Sequence, residues 1–226
     1  MAGNLNTYGD RRIPTDGNFG VDIAMQRADD LDNMSLDQLR VLARAARALD
    51  VASAAGGQAV RMACAGANVT ALDIGDYSGA FLAAASALGV ADKCTFEHQD
   101  ITKFDVAMKL GTFDVIVCQR MIHYVPHFTA VSVIRNLGRA LASDGRLYIS
   151  ASGLHSELGD DYAGAFAPVA DRYEPLAVPM IAKHAIEGPV CLYSVAEFAT
   201  LLESAGLRVE RVFASAFGNV KAVAKL

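Results

Sequence analysis

Three aspartates recur along the first half of the chain, each where an apolar run gives way to a polar turn: Asp50 after Ala48-Leu49, Asp73 after Ala71-Leu72, and Asp100 after Glu97-His98-Gln99. A carboxylate at such a place can accept hydrogen bonds from a diol or from an exocyclic amine. Asp73 suits a pair of ribose hydroxyls. Asp100 suits an adenine amino group, with Ile101 packed on the ring. Directly after Asp50 come Val51-Ala52-Ser53-Ala54-Ala55-Gly56-Gly57, a small-residue loop of the kind that opens a helix and turns its first amides toward an anionic group. One aspartate alone is ordinary turn chemistry; three at ordered intervals outline an adenosine site.

A second group follows the apolar run Val115–Cys118, in Gln119-Arg120-Met121-Ile122-His123-Tyr124. An imidazole titrates near neutrality, so His123 is a candidate catalytic base or orienter of an acceptor; the alternative is a histidine packed beneath the next helix and bonded to backbone. Tyr124 either supports the same pocket or packs at an ordinary interface. Arg120 is an unusual cation to find just past a buried strand. Its anion is either a carboxylate or phosphate of the substrate or the side chain of Glu157. His155, Glu157, Tyr162 and His184 fall in a long mixed segment, residues 152–193, whose length suggests a lid. They either line an acceptor pocket, as substrate-binding residues, or lie on the surface. Their spacing matches no metal-ligand pattern, so no metal is expected.

The elements that must position these groups alternate along the chain. Strands are expected near 48–53, 68–73, 93–98, 113–119 and 145–150, with helices near 57–65, 77–88, 104–109 and 127–142 between them. That order means right-handed crossovers and a mostly parallel sheet covered on both faces. A first helix is expected from Ser35 as its N-cap, with Leu36, Leu39, Leu42 and Ala46 on one face. After a helix at 197–205, the runs 207–213 and 219–224 flank a turn at Gly218-Asn219 and read as an antiparallel hairpin.

Composition bounds the partners. The chain has 226 residues, 53% of them hydrophobic, and a formal net charge of −5, which offers no basic surface to a nucleic-acid backbone. Its four cysteines are scattered, with no paired spacing, as in a reduced cytoplasmic protein. No signal peptide and no apolar run of membrane-spanning length is visible.

The segments Ala48–Gly57, Ala71–Asp73, Gln99–Ile101, Phe113–Tyr124 and Gly145–Ile149, with the closing Tyr193–Leu207, resemble class I S-adenosylmethionine-dependent methyltransferases, most of all the branch that acts on small molecules. The resemblance covers about residues 36 to 226. It implies an α/β fold with a Rossmann-like seven-stranded sheet, its last strand antiparallel between its neighbours, and helices on both faces. It also implies S-adenosyl-L-methionine as cofactor. Asp50 with Ala52, Ser53 and Gly56 of the loop would hold its methionine part, Asp73 its ribose, and Asp100 with Ile101 its adenine; Ile74 and Gln119 complete the set. Residues 1–34 become a leader, with Thr7–Arg12 expected across the cofactor, and residues 152–193 an insertion in the domain 35–226. The partner is a small molecule, with no nucleic acid and no membrane, and a homo-dimer is compatible with the chain.

One departure stands out. Where the family pattern carries three glycines, this loop carries Ala52, Ala54 and Gly56. Glycine serves such loops through positive φ and close backbone approach. Alanine is mild at position 52 if φ is negative there. At position 54 a positive φ would cost about 1 kcal/mol or slightly more, with the methyl near the methionine moiety. A non-catalytic protein using the same surface for a partner or nucleoside is therefore the second reading. A nicotinamide cofactor is disfavoured, because only one glycine of its Gly-x-Gly-x-x-Gly fingerprint is present.

Overall fold

In the computed structural model, residue 13 and residues 15–42 and 44–226 are described. Among them, seven strands form one sheet in the order β3-β2-β1-β4-β5-β7-β6. The strands are β1 (Arg47–Val51), β2 (Asn68–Asp73), β3 (Cys94–His98), β4 (Phe113–Cys118), β5 (Leu141–Ala151), β6 (Arg208–Ala214) and β7 (Val220–Lys225). β1 to β5 run parallel, and β7 pairs antiparallel with both β5 and β6. The expected topology is the one observed.

Alternation along the central strands divides the core. Leu49, Val51, Ile116, Leu147 and Ile149 face a cluster with Val133, Ile134 and Leu137 of α5 (His127–Arg139) and with Phe198, Leu201 and Leu202 of α7 (Val195–Ser204). Ala48, Val69, Ala71, Val115 and Val117 face the other side, where they meet Leu36 and Leu39 of α1 (Asp30–Val41), Met62 of α2 (Gly57–Cys64) and Phe81 of α3 (Ser78–Ala87). Residues two apart on a strand share a face, so a sheet buried on both sides reads as an unbroken apolar run. The short α4 (Val106–Leu110) packs beside α5.

The start of α1 differs from the expectation. Its N-cap is Asp29, not Ser35: the Asp29 carboxylate accepts from the amides of Leu31 and Asp32, while Asp32 accepts from the Asp29 amide at 2.9 Å. This capping box satisfies the amides that the first turn leaves open. Ser35 lies buried inside the helix and donates to the Asp32 carbonyl at 2.7 Å.

Residues 152–193 contain three short 3-10 turns and one helix, α6 (Val178–His184). They bury a small core of their own, with Leu158, Tyr162, Leu176, Ile186, Val190 and Leu192. A half-buried ion pair pins this segment to α7: Arg172 makes two bonds to Glu197, at 2.8 and 2.9 Å, and donates to the carbonyls of Gly164, Ala167 and Leu192.

Candidate functional site

In an open parallel sheet, ligands lie beyond the carboxyl ends of the strands where strand order reverses. Here the reversal falls between β1 and β4, and a cavity of about 610 Å³ opens there. Asp50, Ala52, Ser53, Asp73, Ile74, Asp100, Ile101, Gln119, Arg120, His123, Tyr124, Glu157 and His184 all line it. Three expected residues do not. Gly56 sits behind the wall as the N-cap of α2, where a β-carbon would fall 2.2 Å from the Phe81 ring. Tyr162 belongs to the small core of the insertion, its hydroxyl donating to the Val190 carbonyl. His155 is exposed in a turn. The stretch Thr7–Arg12 lies outside the described residues.

The loop after β1 takes the conformation that glycines would take. Ala52 has φ +56°, Ala54 φ +45° and Gly56 φ +79°. The condition under which alanine would be mild at position 52, a negative φ, is not met, and both alanines carry left-handed strain. Fixed partners hold them there. The Ala54 amide donates to Asp73 Oδ2 at 2.8 Å, the Ser53 amide to the Leu72 carbonyl at 3.2 Å, and the Gly56 amide to the Ser53 carbonyl at 2.8 Å. Asp73 thus ties the loop to the end of β2 while its other oxygen accepts from the Gly75 amide at 2.9 Å.

Carboxylates dominate this half of the cavity: Asp16, Asp22, Asp29, Asp32, Asp50, Asp73 and Asp100 all line it. Burial pushes Asp50 well above the usual carboxylate range, and the neighbouring charge of Asp32 adds to it. Asp32 is likewise raised, by burial and then by Asp29. Asp73 is raised by burial against the pull of its amide donors. Burial, the leading cause, favours the neutral form of each; the like-charge contributions of Asp22, Asp29 and Asp32 that add to it are what a cationic ligand beside them would relieve. Asp29 and Asp100 go the other way: burial raises each, but Lys221 of β7 with other donors leaves Asp29 lowered, and Thr102 with Lys103 leaves Asp100 lowered. Lys221 Nζ lies 2.7 Å from Asp29 and also meets Asp30. Asp100 bonds its own turn, accepting from Thr102 Oγ1 at 2.7 Å, and pairs with Lys103 at 3.0 Å.

Gln119, at the end of β4, bridges the two sides: its amide nitrogen donates to Asp29 and Asp32 and its oxygen accepts from Ser150 Oγ at 3.2 Å. Next to it, His123 is 1% exposed. The Ser152 amide donates to its Nδ1 and Ser152 Oγ faces its Nε2, both at 3.3 Å. Burial, with the nearby Arg120 charge, lowers its pKa to about 3. The ring is therefore neutral and a weak base, which favours the positioning role over proton abstraction.

Tyr124 stacks on His123 with ring centroids 4.0 Å apart and donates to the Phe19 carbonyl at 2.6 Å. Phe19 meets the Tyr124 ring edge-on at 5.3 Å. This contact belongs to a strap formed by residues 15–29, which crosses the mouth of the cavity. On one side the Asp16 amide donates to Tyr77 Oη at 2.6 Å, and Asp22 accepts from the Ala55 amide at 3.4 Å. On the other the Gly20 amide donates to the Ala185 carbonyl at 3.0 Å, and Phe19 bridges to Ile186. Sequence reasoning missed Phe19, Asp22, Asp29, Asp32, Lys183 and Lys221. The spacing Asp29-x-x-Asp32 before an apolar face was the available signal for one pair; nothing local marks the others.

The expected alternative for Arg120 resolves against Glu157, which pairs with Lys183 and, at 3.2 Å, with His184. Among the described residues there is no group of three or more His, Cys, Asp or Glu arranged to hold a metal ion. None of their helices is long and apolar enough to cross a membrane.

Comparison with known proteins places this geometry. The family model of a methyltransferase domain matches residues 48–145. Over 105 residues the chain is 32% identical to the ubiquinone biosynthesis O-methyltransferase of Pseudomonas aeruginosa (strain UCBPP-PA14), a match covering 46% of this chain and 43% of that one. Solved structures share the fold. The CcbJ methyltransferase of Streptomyces caelestis superposes with a TM-score of 0.66 over 97% of this chain and 98% of its own, at 14% identity. A Burkholderia thailandensis 1,6-didemethyltoxoflavin-N1-methyltransferase, solved with its acceptor and S-adenosylhomocysteine, gives 0.64 at 18% identity over 89% and 77%. The mitomycin 7-O-methyltransferase MmcR gives 0.59 at 20% identity, over 85% of this chain and 53% of that one. The chain thus spans about half the length of MmcR and less than half of the curated relative.

Proposed function

We propose, on the premise that residues 48–145 belong to the methyltransferase-domain family in its class I form, that the protein transfers a methyl group from S-adenosyl-L-methionine to a small-molecule acceptor. The observation that carries this reading is the acidic half of the cavity. A ligand bearing both a sulfonium and an ammonium suits a wall of carboxylates, and a cavity of about 610 Å³ is of the size small-molecule sites have. Asp73 would hold the ribose hydroxyls, Ile74, Ile101 and Asp100 the adenine end, and Asp50, Ala52, Ser53 and Gln119 the methionine end, with Asp22 reaching the same end from the strap. Gly56 shapes the loop from behind.

When bound, the cofactor supplies an electrophilic methyl carbon for in-line displacement. The chain's contribution is alignment and exclusion of water. His123, fixed by Ser152, props the Tyr124 ring; Tyr124 holds the strap over the mouth; Glu157, His184 and Arg120 line the acceptor side. No group on that side is required to take a proton if the acceptor arrives ionised. The left-handed conformations of Ala52 and Ala54 keep the loop in glycine-like shape, so the substitutions that motivate a non-catalytic reading leave it without structural support. The net charge of −5 favours a small acceptor over nucleic acid, the four free cysteines suit a cytoplasmic location, and a homo-dimer is compatible with the fold.

Calorimetric titration with S-adenosylmethionine and S-adenosylhomocysteine tests the reading. Wild type should bind both at micromolar concentration, and Asp73→Asn should weaken binding by roughly 10- to 100-fold, the loss expected for bonds to a charged group. A folded wild type that gives no heat with either compound refutes it.

A further inference from the structure

We propose that the methyl acceptor is an oxyanion, a small molecule carrying a carboxylate or phosphate on a flat apolar body, and that Arg120 holds that group. The proposal rests on the methyl-transfer reading above.

The first observation is a cation left unmatched at the cavity wall. Four other cations with restricted exposure have carboxylate partners: Arg172 pairs with Glu197, Arg146 with Glu210, Lys183 with Glu157, and Lys221 with Asp29 and Asp30; Arg61, also partly buried, is spent on Gln58 Oε1 and the Ala24 carbonyl. Arg120 lines the cavity, is partly buried, and among the described residues has no carboxylate within ion-pair distance. A guanidinium offers five donors in a planar fork that matches a carboxylate or phosphate. Covering it with an apolar group would strip its water and return no hydrogen bond, and a neutral oxygen would leave its charge unpaired.

The second observation is how the residue is placed. Arg120 has φ +53°, a left-handed conformation that side chains rarely adopt. Its amide is held by two bonds to Ser150 at the end of β5, to the carbonyl at 3.0 Å and to Oγ at 3.1 Å. Strain maintained by neighbouring bonds beside a cavity is a reason to ask what the residue does there.

The third is the division of charge. The carboxylates cluster at the loop after β1 and along the strap, whereas Arg120 acts electrostatically on His123 and Tyr124, on the acceptor side. There the one carboxylate, Glu157, is already matched by Lys183. The walls between are apolar or aromatic: Phe19, Met121, Tyr124, Leu158, Ile186 and Phe217. A cationic cofactor at the acidic end and an anionic acceptor at the basic end would each meet the opposite field, and a planar body would lie between.

The test uses protein loaded with S-adenosylhomocysteine, titrated with benzoate, phenyl phosphate and methyl benzoate as probes. Wild type should bind at least one of the two anions more tightly than the neutral ester, and the order of the anions identifies the oxyanion preferred. In Arg120→Met the anion affinity should fall by roughly 10-fold or more, with the ester unaffected. Arg120→Lys should recover part of the loss. S-adenosylhomocysteine binding, measured in each variant, reports both folding and the premise. Equal affinity for anions and ester, failure of wild type to bind either anion, or anion binding unchanged in Arg120→Met overturns the proposal. Loss of S-adenosylhomocysteine affinity in a folded Arg120→Met would overturn it differently, by assigning the guanidinium to the cofactor. If wild type fails to bind S-adenosylhomocysteine at all, the methyl-transfer reading falls first.

Discussion

Replacing Ala52 by glycine should make the protein more stable, although glycine usually weakens a fold. The residue sits at φ +56° and is exposed. Relief of a left-handed alanine is worth about 1–2 kcal/mol. Against it stands the greater freedom of glycine in the unfolded chain, about 0.4–1 kcal/mol. The net is a gain of roughly 0.5–1 kcal/mol, or about 1–4 °C in Tm for a chain of this length. Ala54 provides the control. Its φ is +45°, but its methyl is buried, with 8% of the residue exposed. Losing that methyl costs about 0.8 kcal/mol, so Ala54→Gly should be close to neutral. Urea unfolding of the two variants beside wild type, in the absence of ligand, separates the cases. A loss of stability in Ala52→Gly of more than about 0.5 kcal/mol, with an unchanged denaturant slope, would refute the strain argument. Equal effects at the two positions would refute the burial term.

Gly56→Ala should be severely destabilising, because a β-carbon there adds left-handed strain and falls 2.2 Å from the Phe81 ring; strain and overpacking together give about 2–5 kcal/mol, read by thermal unfolding. The His123 imidazole should stay neutral down to at least pH 5, since burial lowers its pKa to about 3; an NMR titration of its ring protons with a midpoint near 6 or above would contradict the positioning role. The sign matters for Glu197, which burial alone would raise but which Arg172 and Ser194 bring down to about 2. A lowered carboxylate stabilises the fold above its unfolded pKa and loses that contribution as pH falls through the folded one. The stability gap between wild type and Glu197→Gln should therefore be full at neutral pH and close between about pH 4.5 and 2; a gap that is constant with pH would rule out this pair as its source.

Much of this architecture was legible because local signals and the fold agree. The run Val115–Cys118, apolar without alternation, could only be a strand covered on both faces, and Asp50, Asp73 and Asp100 fell where strands meet turns. The hairpin 207–224 was readable from its Gly218-Asn219 turn. What was hidden depends on contacts far apart in sequence. Ser35 resembled a cap, but the helix continues back to Asp29, where the cap is completed by Gln119 and Lys221 from other strands. Tyr162 looked like a pocket residue because a lone tyrosine in a polar segment gives no sign of the small core that buries it. The φ of Ala52 was unreadable because composition reports which conformations are easy, not which ones neighbouring bonds enforce. Arg120 was noticed for its place after a buried strand, yet only the geometry shows that Glu157 is occupied elsewhere.

The position of β7 also constrains how the molecule can be made. This strand follows every other strand in sequence, yet it lies inside the sheet, and β5 and β6 have no edge in common until it arrives. During synthesis, the parallel half can assemble early while β6 waits without a partner. Arrival of β7 closes the sheet and brings Lys221 to Asp29 and Asp30, across 192 and 191 positions of chain. The strap and α1, made before every strand of the sheet, thus receive their counter-charge from the strand made last among the seven. A chain interrupted before residue 220 would hold the cofactor loop but neither a closed sheet nor a neutralised cap. Synthesis of β7 is in this sense a checkpoint on the assembly of the cavity.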